Sequence, residues 1–265
     1  MNFERIKLEF TDNVAVLTLN HPEALNAISL KMITELSDVM ENIEDPANGA
    51  RCLLLTGAGR GFCAGANLAD PERGLAEGGK IDGGEVLEKF YNPLFLRLSN
   101  LRMPFITAVN GPAAGVGMSF ALSADMVLAA RSAYFLQAFR RIGLVPDGGA
   151  TYILPRLIGT VRAMELSLLG ERLPAEKALE WGMINRVYDD ADLMPQAMKL
   201  AKDLATGPTS VLALIRRAYW LSHDNSYIEQ LNVERQYQRL AGQTEDFLEG
   251  VTAFREKRPA QFKGR

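Results

Sequence analysis

Histidine and cysteine are scarce in this chain, which has two of each among 265 residues. Two histidines, His21 and His223, cannot supply a multi-histidine metal site, and two cysteines cannot supply a four-cysteine site. Two cysteines also give no disulfide framework, which is typical of a reducing compartment. We therefore expect a protein that is held together by its core and binds no metal.

Long apolar runs and an excess of charge of one sign are also missing. No run reaches the roughly 20 apolar residues that span a bilayer, and the start, MNFERIKLEF, has no apolar signal region. Lys and Arg number 29 against 32 Asp and Glu, which argues against nucleic-acid binding as the main activity. Hydrophobic residues make up 48% of the chain, enough for a substantial core. We expect a cytoplasmic protein with no nucleic-acid or membrane partner.

Two apolar strands are each followed by a turn of small residues. Residues 51–56 lead into the turn 57–68, and residues 105–109 lead into the turn 110–117, with a short helix predicted over 118–123. A glycine turn that opens a buried helix presents free N–H groups, which can hold an anion or a developing oxyanion. The alternative is a tight turn that lets the helix pack on a sheet.

The remaining pattern is strand-rich first and helical at the end. Hairpin strands are predicted at 6–10 and 14–19, a Ser29-capped helix follows them, and a strand is predicted at 183–188. Residues 70–89 form a loop, either a flap over a site or a surface insertion. Further helices are predicted at 86–101, 163–169, 174–181, 193–205, 209–221, 226–242 and 244–257. We divide this α/β chain into a core, 1–207, and a helical region, 208–265.

Several runs carry a family resemblance. GRGFCAGANL resembles the first oxyanion motif of the crotonases, and AVNGPAAGVGMSFALSADMVLAA resembles the second. HPEALNAIS and AFREKRPAQF extend the likeness, in order, over nearly the whole chain. The chain is identified as a member of the enoyl-CoA hydratase/isomerase (crotonase) superfamily. IGLVPDGGATYILPRLIG and LPAEKALEWGMINRV look most like the phenylacetate-pathway isomerases of that superfamily.

The resemblance implies a ClpP-like spiral of ββα units with a C-terminal helical trimerisation region. It implies an acyl-CoA substrate, no permanently bound cofactor, and a homotrimer or dimer of trimers. Lys257 and Phe254 match positions that commonly reach CoA from a neighbouring subunit, although Lys257 taken alone also suits a solvated surface. The implied CoA contacts are Ala24, Leu25, Ala27, Ala64, Asn67, Leu68, Lys257 and Phe254.

The sequence departs from the hydratases at both of their catalytic glutamates, where it has Ser119 and Phe139. A phenyl ring accepts no proton, and a serine hydroxyl without a base is a poor substitute. Asp147 matches the position of a base or nucleophile in several family isomerases and a dehalogenase. Without the resemblance, Asp147 in Pro-Asp-Gly-Gly reads more simply as a turn former. An apolar turn desolvates a carboxylate, which raises its pKa and suits it to proton transfer.

The resulting hypothesis is an acyl-CoA isomerase. The N–H groups of Ala66 and Val116 hold the enolate oxygen, and Asp147 moves a proton to shift a double bond or to convert a ring epoxide into an oxepin. One alternative is an enoyl-CoA hydratase or a hydrolase with atypical residues. Another is a non-catalytic family member that binds acyl-CoA or RNA.

Overall fold

Nine strands and ten α-helices lie in residues 3–70 and 82–265, which the computed structural model describes. The strands are β1 Ile6–Thr11, β2 Val14–Leu19, β3 Cys52–Gly57, β4 Phe105–Val109, β5 Ala113–Ala114, β6 Met126–Ala130, β7 Tyr134–Leu136, β8 Arg172–Pro174 and β9 Arg186–Tyr188. The helices are α1 Leu30–Glu44, α2 Gly83–Val86, α3 Asn92–Ser99, α4 Val116–Leu122, α5 Ala150–Leu169, α6 Ala175–Glu180, α7 Leu193–Thr206, α8 Thr209–Ser222, α9 Tyr227–Ala241 and α10 Glu245–Glu256.

The central sheet has six strands in the order β1-β2-β3-β4-β6-β9. The β1–β2 pair is antiparallel and every other neighbouring pair is parallel. Every residue of β3 and β4 is buried, as expected for parallel strands that are covered on both faces. Because β3 and β4 are parallel neighbours, the turns that follow them leave the same edge of the sheet, where ligands bind in open α/β sheets.

A second, smaller sheet holds three short strands in the order β5-β7-β8. Strand β5 lies between β4 and α4, so this sheet supports the second glycine turn. Helix α7 packs against β3, β4 and β6, and its residues Ala197 and Ala201 are buried. The three helices α8, α9 and α10 follow, and the predicted α/β architecture with C-terminal helices is confirmed.

Local structure agrees with the pattern in some places and departs from it in others. The Ser29 side chain accepts from the N–H of Met32 and caps α1, as predicted. Helix α5 begins at Ala150 rather than at residue 163, and its turns are interrupted at Gly159, where φ is +77°. Helical structure continues past both Pro155 and Gly159, which explains why the sequence pattern hid the first half of α5.

The region between β3 and β4 also differs from the prediction. Helix α2 begins at Gly83, capped by Asp82, and a π-helical segment, Leu87–Tyr91, joins it to α3. Residues 83–85, predicted only as loop, are therefore helical, and residues 86–89, which both predictions covered, follow the predicted helix. The rest of the predicted flap, 71–81, lies outside the described residues, and the flap stays a prediction.

Candidate active site

The two glycine turns meet at the edge of the sheet. The N–H groups of Phe62 and Cys63 both donate to the carbonyl of Pro112, at 3.2 and 3.0 Å. A Cβ built on Gly65 would lie 3.9 Å from the Cα of Gly115, and the reverse distance is also 3.9 Å. The turns therefore touch through two residues without side chains, and this contact was beyond the reach of the sequence.

The second turn passes directly into α4, which begins at Val116, two residues earlier than predicted. The N–H of Gly115 donates to the Leu136 carbonyl at 2.9 Å, which holds the turn against β7. Within residues 3–70 and 82–265, neither Ala66 nor Val116 donates its N–H to a protein acceptor. Val116 is the first residue of a helix, where N–H groups have no intrahelical partner. Two open donors therefore flank the Gly65–Gly115 contact.

Asp147 lies in the turn that precedes α5. Its carbonyl accepts from the N–H of Ala150 at 3.1 Å and from the hydroxyl of Ser119 at 2.9 Å. Its Oδ1 atom is buried from solvent. Gly148 and Gly149 follow with φ of +58° and +80°, conformations that favour glycine, and Gly149 stands at the N-cap of α5. The turn therefore presses the Asp147 segment against α4, the helix that carries Val116.

The two positions that hold glutamate in family hydratases lie at this site as well. Ser119 is buried one turn into α4. Phe139 is also buried, and its Cζ lies 3.9 Å from a Cβ built on Gly115. A ring and a hydroxyl thus take the places where the resemblance leads one to expect two carboxylates.

The segment with the implied CoA contacts Ala24, Leu25 and Ala27 runs beside the first turn. The Ala64 N–H donates to the Leu25 carbonyl at 2.9 Å, and the Asn67 N–H donates to the Ile28 carbonyl at 2.8 Å. These bonds bring both predicted groups of core contacts together. Leu68, which closes the second group, is 60% exposed beside them.

Asn26 holds this segment in place, a role that sequence reasoning missed. Leu25 and Asn26 have φ of +50° and +55°, values that cost non-glycine residues energy and recur at functional sites. The fully buried Asn26 amide accepts from the His21 N–H at 2.8 Å and donates to the carbonyls of Ala58 and Gly61 at 2.9 and 2.8 Å. The preference of asparagine for left-handed backbone was the one signal available in the sequence.

Phe254 and Lys257 lie on another part of the molecule. Phe254 is 85% exposed on α10, and Lys257 is its C-cap with φ of +54°. The tail that follows α10 is fixed by Arg51, the residue before β3, which donates to the Phe262 carbonyl. The two glycine turns lie at the other end of β3. The described contacts of this chain therefore do not join Phe254 and Lys257 to the core CoA contacts.

The burial of both cysteines makes them poor candidates for nucleophiles. Burial raises the pKa of the Cys52 thiol and of the Cys63 thiol to about 12. The reactive form is the thiolate, so both side chains are inert at neutral pH. Cys63 instead packs beneath α4, where a Cβ on Gly117 would overlap its carbonyl.

Comparison with known proteins agrees with this geometry. The family model described as Enoyl-CoA hydratase/isomerase matches residues 9–265. The chain is 51% identical over 253 residues to the 1,2-epoxyphenylacetyl-CoA isomerase of Escherichia coli K12, covering 95% of both chains. It is 41% identical to a probable enoyl-CoA hydratase of Rhodobacter capsulatus, covering all of both. The crystal structure of a putative enoyl-CoA hydratase from Streptomyces coelicolor superposes with a TM-score of 0.92 at 31% identity, covering 100% of this chain and 96% of that one.

The fold and the paired turns define a class of enzyme that acts on CoA thioesters. The chain belongs to the enoyl-CoA hydratase/isomerase family, the crotonase superfamily, as its sequence motifs indicated. Among the helices in residues 3–70 and 82–265, none is both long enough and apolar enough to cross a membrane.

Proposed function

We propose that the protein is an acyl-CoA isomerase that uses an oxyanion hole formed by the N–H groups of Ala66 and Val116. The contact between Gly65 and Gly115 carries the proposal, because each glycine directly precedes one of the two residues with an open N–H group. A thioester carbonyl bound beside this contact would accept from both donors. Its oxygen gains negative charge as the neighbouring carbon loses a proton, so the donors stabilise the enolate more than the bound substrate. Each such donor is worth about 3–4 kcal/mol in comparable sites.

Asp147 is the base in this proposal. Its main-chain carbonyl accepts from Ser119 of α4, and its Oδ1 is buried, which supports a base that lies close to the helix opened by Val116. One carboxylate suffices for an isomerisation, because the proton it takes from one carbon returns to another. In a ring epoxide of a phenylacetyl thioester, the same base would promote conversion into the oxepin. The 51% identity to an enzyme named 1,2-epoxyphenylacetyl-CoA isomerase supports this substrate class.

Hydration is the competing function, since one similar protein is named a probable enoyl-CoA hydratase. The two-carboxylate route to hydration needs one group to activate water and another to deliver a proton. Ser119 donates its hydroxyl to the Asp147 carbonyl, and Phe139 offers only a ring. Neither side chain supplies those groups, which favours isomerisation.

The CoA moiety is proposed to lie along the paired segments 24–27 and 64–68, whose backbone is fixed by the Asn26 amide. Phe254 and Lys257 then contact CoA from a neighbouring copy of the chain. Large apolar side chains exposed on the later helices support a homotrimer or a dimer of trimers, because monomers rarely leave such surface uncovered. They include Val161 at 82%, Ile228 at 73% and Leu248 at 65% exposure.

A product assay tests the function. Wild-type protein and Asp147→Asn are incubated with 3-enoyl-CoA, 2-enoyl-CoA and ring-epoxidised phenylacetyl-CoA, and products are separated and weighed by mass spectrometry. The proposal expects products of unchanged mass that disappear with Asp147→Asn. Asp224→Asn, in which an exposed carboxylate that accepts from Tyr152 is replaced, is the matched control and should keep full activity.

Two outcomes would overturn the proposal. Products heavier by one water, formed equally by Asp147→Asn, would mean hydration by other groups. Binding of all three thioesters with no turnover by wild type would mean a non-catalytic acyl-CoA-binding protein.

A further inference from the structure

We propose that Ser119 is a positioning residue that holds the Asp147 segment on α4. This inference rests on the proposed function, since it gives a role to the residue beneath the proposed base. Ser119 is 1% exposed, and its hydroxyl donates to the Asp147 main-chain carbonyl at 2.9 Å across 28 residues of sequence. The bond goes to the backbone rather than to the carboxylate, so it fixes the position of the segment.

Packing reinforces this bond. A Cβ built on Gly148 would lie 2.7 Å from the Cβ of Ser119 and 2.8 Å from ring atoms of Phe95. Phe95 is itself stacked on Phe120, with ring centroids 4.5 Å apart and planes at 28°. The turn after Asp147 therefore fits against α4 only because residue 148 has no side chain.

The position of Ser119 on α4 connects the base to the oxyanion donor. Val116 opens the helix and Ser119 follows three residues later, which is about 4.5 Å along the axis and close to one turn. One rigid turn of helix thus carries the proposed donor at its start and the support of the proposed base three residues later. A small change in the distance between the proposed donor and the proposed base should lower the rate steeply, since a misplacement of about 1 Å can lower a catalytic rate roughly 100-fold.

Loss of the hydroxyl should spare the fold. The Asp147 carbonyl still accepts from the Ala150 N–H at 3.1 Å, so Ser119→Ala leaves no buried acceptor without a partner. Ser123→Ala is the matched control, because Ser123 is a buried serine one turn further along the same helix segment. Its hydroxyl donates at 2.8 Å to the Phe120 carbonyl, within its own turn.

The test measures kcat, KM, the pH profile of the isomerase kcat/KM and the melting temperature of wild type and of each variant. For Ser119→Ala we expect kcat to fall about 10- to 100-fold while KM changes by less than about twofold. The acid limb of the pH profile should move, because the surroundings of the carboxylate change. Ser119→Cys keeps a side chain of similar size and a weak donor, so its kcat should lie between the values for Ser119→Ala and wild type. Ser123→Ala should match wild type.

A double-substitution cycle separates positioning from general damage. In an Asp147→Asn background, Ser119→Ala should lower the residual turnover no further, because residues that act as a unit are not additive. Wild-type kcat and pH profile for Ser119→Ala would overturn the inference, and so would equal losses for Ser119→Ala and Ser123→Ala. Retention of turnover by Asp147→Asn alone would instead overturn the proposed function.

Discussion

Gly65→Ala is the sharpest perturbation of the proposed oxyanion hole. Gly65 has φ of +101°, a conformation that costs a residue with a side chain about 1–3 kcal/mol. A Cβ at this position would lie 2.9 Å from the carbonyl oxygen of Ala114, whereas ordinary van der Waals contact begins at 3.4 Å. The two turns must therefore separate by roughly half an ångström to relieve the contact.

That separation is large on the scale of the site. Oxyanion donors act at about 2.7–3.1 Å, so half an ångström takes one donor out of range. Loss of a single donor costs about 100- to 1,000-fold in kcat, so we expect Gly65→Ala to lose turnover in that range. The free energy of unfolding should fall by about 2 kcal/mol from the backbone strain.

Gly182→Ala is the control for strain alone. Gly182 has φ of +77° just after α6, and a Cβ there would meet nothing within 4 Å. We expect it to lose about 1 kcal/mol of stability and to keep wild-type kcat. Stability is measured by urea unfolding, and kcat is measured on the substrate that the product assay identifies. A folded Gly65→Ala protein with wild-type kcat would refute the reasoning.

Three further predictions concern stability and reactivity. Arg216→Met removes the partner of Asp125 and the donor to the carbonyls of Leu98 in α3 and Leu101 after it. We expect it to lower the free energy of unfolding in urea by about 3 kcal/mol, and a loss below about 1 kcal/mol would contradict this expectation. Bonds from Arg258 and the Gln261 N–H lower the pKa of Glu249 to about 2, so this carboxylate stabilises the fold above about pH 4.5 and the contribution is lost as pH falls toward 2. The protection factors of the α10 amides against hydrogen exchange should fall between about pH 4.5 and about pH 2 in wild type, but should show no such fall in Glu249→Gln. Both cysteine thiols should resist iodoacetamide at pH 8 until the protein unfolds, and rapid alkylation of native protein would contradict their burial.

The central strands β3 and β4 were predictable because they are mostly apolar and lead into glycine-containing turns. In β3 and β4 the pattern sets both the strand and its burial on two faces. The three short strands of the second sheet carry no comparable signal, since β5 has only two residues. The first half of α5 was hidden because Pro155 and Gly159 usually end helices, whereas here helical turns continue on both sides.

Sequence reasoning could nominate the residues of the candidate site but not the contacts around them. Motif resemblance pointed to Ala66, Val116 and Asp147, and each lies on a separate stretch of chain. The structure adds the parallel pairing of β3 with β4 and the fit of the turn before α5 against α4. The bond from Ser119 to Asp147 shows the limit most clearly, because a serine in a short apolar helix gives no sign that its partner lies 28 residues away.

The proposed contacts of Phe254 and Lys257 with CoA involve a neighbouring copy of the chain. Arg51 binds the Thr209 hydroxyl at 2.8 Å and the Phe262 carbonyl at 3.2 Å, and the buried Asp246 carboxylate accepts from the N–H of Gly264 at 2.7 Å. These bonds fix the tail beside the start of β3, whereas the proposed CoA path begins beyond its end, roughly 15–20 Å away at 3.3 Å per residue.

If Phe254 contacts CoA from a neighbouring copy, Phe254→Ala should raise KM while leaving kcat nearly unchanged. Mixing it with an Asp147→Asn chain should then restore low-KM turnover in hybrid oligomers. Failure of that complementation, in oligomers shown by native mass spectrometry to be mixed, would place the Phe254 contact within its own chain.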